Sequence, residues 1–141
     1  MKILRNLQQK NWFYALLLLL IGALSYLLLI RRLGLYLDDW YLIFDAHTQG
    51  AQFMHVVFSS DRPARGYLME WAYSLLGDNL VWYHLVAFVF RYLGSLAFFF
   101  TLCMIWEKNK RTNFLIALFL MLYPAFVDQI HPVDFLSQIC S

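Results

Sequence analysis

Of the 141 residues, 62% are apolar and 14% charged, against roughly 45–50% and 25% in soluble domains. That balance excludes an ordinary water-soluble fold, and a net charge of +2 without a basic run interleaved with aromatics excludes a nucleic-acid surface. Cys103, inside an apolar run, and Cys140 make neither a CxxC pair nor a zinc spacing.

The first apolar run, Trp12 to Ile30, carries no charge. As a helix it would reach about 28 Å, close to the ~30 Å of a hydrocarbon core. Lys2, Arg5 and Lys10 ahead of it also suit a signal peptide, but the run exceeds an h-region of roughly 7–15 residues and no A-x-A site follows. An uncleaved membrane anchor is expected.

Residues 31–80 form the one polar segment of useful size. Within it Trp40, Ile43, Phe44 and His47 recur at helical spacing, with Asp38 or Asp39 placed to cap the start and Gly50 the end. A second pattern follows in DRPARGYLMEWAYSLLGDN, with Pro63 at a first helical position and Leu68, Trp71, Ala72 and Leu75 on one face before Gly77. Two short helices rich in Trp and Tyr beside transmembrane segments should lie in the membrane interface. AQFMHVVFSS between them fits helix and strand alike.

The second apolar run, Val81 to Trp106, is interrupted only by Arg91 and would measure about 39 Å as a helix. A charge inside a span must face protein or water. His84, Phe88, Arg91 and Ser95 share one helical face, so Arg91 is expected to look into a bundle or cavity; snorkelling to the surface is the competing reading. The third run, Phe114 to Phe126, reaches only about 20 Å, so a span over residues 113–127 must borrow Asn113, thin the bilayer or stop partway.

Lys2, Arg5 and Lys10 precede the first span and Lys108, Lys110 and Arg111 follow the second, whereas residues 31–80 carry six acids against four arginines. The positive-inside rule puts both basic clusters in the cytoplasm and residues 31–80 outside. Arg31 and Arg32 run against this and are outnumbered. The expected fold is therefore all-α, a polytopic membrane helix bundle over 1–141 with spans near 12–30, 81–106 and 113–127 and short interfacial helices in the outer loop.

The order of the pieces resembles the GT-C glycosyltransferases, the polytopic enzymes that include protein O-mannosyltransferases and the lipid A aminoarabinose transferase. The residues that carry the resemblance are LDDW at 37–40, DRPARG at 61–66 and YPAFVDQIHP at 123–132. It implies transfer of a sugar from a polyprenyl-phosphate carrier to an acceptor on the extracytoplasmic side of a bacterial-type plasma membrane, with the acidic pair supplying a carboxylate near the acceptor nucleophile. In that family the second acid is often Glu, while here both are Asp, and the spans number many more than three. The chain thus looks like the amino-terminal portion of such an enzyme, inactive by itself.

Such a transfer needs a base for the acceptor's proton and a cation for the departing phosphate. Asp38 and Asp39 are the candidate base, Asp38 ahead of Asp39; the competing reading is a helix cap with a solvated neighbour. Arg62, Arg65 and Arg91 are the candidate phosphate ligands, against lipid head-group contact or a structural role. His47, His55, His84 and His131 make no recognised ligand set, so no metal or other cofactor is expected. The expected partners are membrane lipid and the lipid-linked sugar. The alternative is a small noncatalytic membrane protein acting through helix–helix association, and self-association would also cover Arg91.

Overall fold

A computed structural model of the chain describes residues 2–36, 38–60, 62–123 and 132–133, with side chains from residue 11 onward. Six α-helices and a 3-10 turn, with no strand, make up the described residues: α1 Lys2–Leu27, α2 Asp38–Gln49, α3 Phe53–Phe58, α4 Pro63–Leu76, α5 Leu80–Ile105, the turn Glu107–Asn109 and α6 Lys110–Leu122. The fold is all-α. Of the described residues, 2–28 and 88–123 form one body and the remainder another.

The first body joins α1, α6 and α5 from Phe88 onward around Leu18, Phe99, Ala117 and Met121, all fully buried. Tyr14 packs against Phe99 and Phe114, with ring centroids 6.0 and 5.3 Å away. Polar ties supplement the apolar packing: Tyr92 donates to the Ala15 carbonyl at 3.3 Å, Lys110 Nζ to Asn11 Oδ1 at 2.7 Å, and Asn113 Nδ2 to the Trp106 carbonyl at 2.9 Å. At Gly22 the missing side chain matters, because a Cβ there would stand 1.9 Å from Met121 Cε.

α5 is long and apolar enough to cross a membrane, and only 33% of its most apolar window is buried. The core helix of a soluble protein would be mostly covered. Leu16, Leu20 and Leu24 of α1 and Leu115 and Phe119 of α6 are exposed as well, so the body turns apolar side chains outward on all three helices.

The helix ends differ from the expected spans. α1 stops at Leu27 rather than Ile30, and Leu28–Arg32 are turns in which Arg32 N–H bonds the Leu29 carbonyl at 2.7 Å. α5 agrees within one residue. α6 begins at Lys110 and ends at Leu122, short of 127, because Tyr123 precedes Pro124 and is extended (φ −64°, ψ 117°). The ring of a proline bars helical geometry in the residue before it. Residues 124–127 lie outside the described residues.

The second body packs α2, α3, α4 and the start of α5 around Leu42, Ile43, Ala46, Met54, Met69 and Tyr83. Its punctuation is as expected: α2 ends at Gly50 (φ +90°), α4 opens on Pro63, and Gly77 (φ +57°) closes it with its N–H on the Tyr73 carbonyl at 2.7 Å. AQFMHVVFSS resolves to the helix α3. Gly66 lets α3 and α4 touch, since a Cβ there would meet His55 Cα at 3.0 Å and the Met54 carbonyl oxygen at 3.1 Å.

α2 and α4 each pack one side inward. α2 buries Asp39, Leu42, Ile43 and Ala46, so of the expected face only Ile43 turns inward, while Trp40 and Phe44 stack at 6.2 Å on the exposed side. α4 buries Arg65, Gly66 and Met69 and exposes Leu68, Trp71 and Leu75. Both helices are apolar on two sides, and tertiary packing takes one side of each. The aromatic sides are left outward.

Candidate functional site

The acidic pair stands within the first turn of α2, not ahead of it as a cap, and its two members are in unlike environments. Asp38 is exposed and Asp39 is fully buried. A buried carboxylate is tolerable only when it is hydrogen-bonded. Asp39 Oδ2 accepts the backbone N–H of Val133 at 3.1 Å, and the amino end of a helix favours negative charge as well. Pro132, the last residue of the YPAFVDQIHP segment, is buried beside this contact. LDDW is thereby tied to the end of the third motif across 94 residues.

DRPARG opens α4. Arg62 is the exposed residue directly before Pro63, its N–H bonded to the Phe58 carbonyl at 2.9 Å. Arg65 lies one turn inside, buried, with its guanidinium carbon 4.4 Å from the centre of the Phe58 ring. That geometry is a cation–π contact. Asp38, Asp39, Arg62 and Arg65 belong to the second body.

Arg91 belongs to the first body. His84, Phe88, Arg91 and Ser95 are all buried, as their spacing predicts. The Arg91 guanidinium donates through Nε to the Met121 carbonyl at 3.3 Å and through Nη2 to the Leu120 carbonyl. Tyr26 donates to the same Met121 carbonyl, at 3.3 Å.

Two clusters in the second body were not legible beforehand. Asp78, in the turn between α4 and α5, accepts the Tyr73 hydroxyl at 2.6 Å and faces His47 Nδ1 at 2.6 Å. The Tyr73 bond holds the Asp78 carboxyl below the usual carboxylate range against an upward push from desolvation, and the His47 bond and charge add to the lowering. Burial, then the Asp78 bond and charge, pushes the Tyr73 phenol up to about 12. In the other cluster, His55 Nε2 bonds Glu70 while its ring meets Tyr67 edge to face with centroids 4.1 Å apart. His47 and His55 had shown only as histidines near acids, because their partners lie 31 and 15 residues away.

Among the described residues no three His, Cys, Asp or Glu side chains gather as a metal set. No family model, curated protein sequence or solved structure matches this chain.

Proposed function

We propose that this chain belongs to a membrane-embedded, GT-C-type glycosyltransferase that moves a sugar from a polyprenyl-phosphate carrier to an extracytoplasmic acceptor. The observation that supports the reading is the unlike burial of the acid pair. Asp38 is open to an incoming acceptor, whereas Asp39 is sealed against the backbone of Val133. A general base must reach the proton it takes. Asp38 fills that role and Asp39 positions it.

Arg62, exposed at the head of α4, is the first candidate for the donor phosphate, and Arg65 supports the same turn from inside. In this reading α1, α5 and α6 lie in a plasma membrane of bacterial type, with the amino terminus and Lys108, Lys110 and Arg111 cytoplasmic and α2 to α4 outside. The test uses membranes holding the protein in its native context, given a radiolabelled polyprenyl-phosphate sugar. The wild type should transfer label, and the double variant Asp38→Asn with Asp39→Asn should not. Equal transfer by both, at matched abundance, would sink the catalytic reading.

A second reading, a noncatalytic membrane protein acting through helix association, draws on one observation. Gly94, Ala97 and Thr101 are exposed along one side of α5, with nothing within 4 Å of where a Gly94 Cβ would stand. Small residues in that spacing allow close helix approach in lipid.

A further inference from the structure

We infer that α6 is a half-membrane helix, ending inside the bilayer at a cap supplied by Arg91 and Tyr26. The inference rests on reading α5 as a membrane span and is independent of the glycosyltransferase reading.

Length gives the depth. α6 has 13 residues, about 20 Å of helix. Arg91 lies 14 residues before Ile105, about 21 Å back along α5 from the turn that joins the two helices. The two estimates place the end of α6 level with Arg91. If the charged turn marks the inner surface, about 10 Å of a ~30 Å hydrocarbon core remains beyond it.

A helix ending there has a cost. Its last carbonyls have no partner within the helix, and hydrocarbon offers none. The Tyr123 N–H reaches back to the Leu120 carbonyl at 3.4 Å, and the further donors come from the neighbouring helices: Arg91 of α5 to the Leu120 and Met121 carbonyls, and Tyr26 of α1 to Met121. The guanidinium charge also opposes the partial negative charge of the helix end. Close approach is found at the same level, since Gly22 of α1 faces the Met121 thioether, whose end would have to shift to admit a Cβ. Arg91 is thus a positioning residue, which fixes the depth from which the chain continues past Tyr123.

Nitroxide depth measurement in bilayers tests this, by relative collision with oxygen and with a water-soluble nickel chelate. Labels go on Leu122→Cys, at the end of α6, and on Leu93→Cys, exposed at the matching level of α5. Cys103 and Cys140 are replaced. Both labels should read hydrocarbon depths within about one helical turn, ~5 Å, of each other. A Leu122 label at head-group depth with a deep Leu93 label overturns the half-membrane helix alone; a Leu93 label open to the nickel chelate overturns the membrane reading beneath it.

The cap is tested on the same pair. Arg91→Leu should raise nickel access at the Leu122 label severalfold, and Arg91→Lys should restore part of the protection. Unchanged access in Arg91→Leu shows that the arginine is no cap. Should Arg91→Leu fail to insert, Tyr26→Phe removes one donor with its ring retained, and a smaller rise in the same direction is required; no rise overturns the inference.

Discussion

Asp38→Asn should lower sugar transfer by roughly 100-fold or more, the usual scale of a lost acid–base group, with abundance and insertion unchanged. Asp38 is exposed in the first turn of α2, so the carboxamide meets no packing constraint. The buried neighbour should respond otherwise. Asp39→Asn keeps an oxygen for the Val133 N–H at 3.1 Å and should cost less activity than Asp38→Asn. Asp39→Ala strands that N–H, a penalty of about 1–3 kcal/mol, and should appear as lower abundance before any loss of turnover per molecule. Initial rates from a radiolabelled lipid-linked donor, divided by protein level, separate the three variants. An Asp39→Asn protein more impaired than Asp38→Asn would reverse the assigned roles.

The second large effect is expected at Gly66, where α3 and α4 meet. The atoms a Cβ would strike are backbone, His55 Cα at 3.0 Å and the Met54 carbonyl oxygen at 3.1 Å, and cannot swing aside as a side-chain tip can. Gly66→Val should destabilise the second body by about 1–3 kcal/mol, the range for overpacking. The helix propensity gained over glycine is only a few tenths of a kcal/mol for a β-branched residue and does not offset it. Amide exchange in α3 should accelerate by about tenfold or more, since 1.4 kcal/mol corresponds to a factor of ten. Gly34→Ala is the control, because nothing lies within 4 Å of its Cβ position. Equal α3 protection in Gly66→Val and Gly34→Ala would contradict this reading of the contact.

What could be read from the sequence was what short-range rules decide. Pro63 at the start of α4, Gly50 and Gly77 at helix ends, and the common face of His84, Phe88, Arg91 and Ser95 follow from local geometry or spacing. The early stop of α6 follows from Pro124 too, though the expected span had run through it. The packed faces of α2 and α4 were not legible, because Trp40 and Phe44 are as apolar as Leu42 and Ala46 and only tertiary contact chooses between them. Long-range partners were equally hidden. Nothing near Asp39 announces Val133, and nothing near Arg91 announces the carbonyls of Leu120 and Met121. In the same way, the unlike environments of the two aspartates depend on which side of α2 is packed and on a distant backbone amide.

If the acid pair stands outside the cytoplasm on a chain that crosses the membrane, its accessibility in intact cells shows it. Gln49, the last residue of α2, is exposed and takes the single cysteine, with Cys103 and Cys140 replaced. In intact cells a membrane-impermeant maleimide should label Gln49→Cys as fully as it does after lysis, and a cysteine at Lys108 should react only after lysis. Labelling of Gln49→Cys only after lysis would place the acid pair in the cytoplasm and contradict the proposed function.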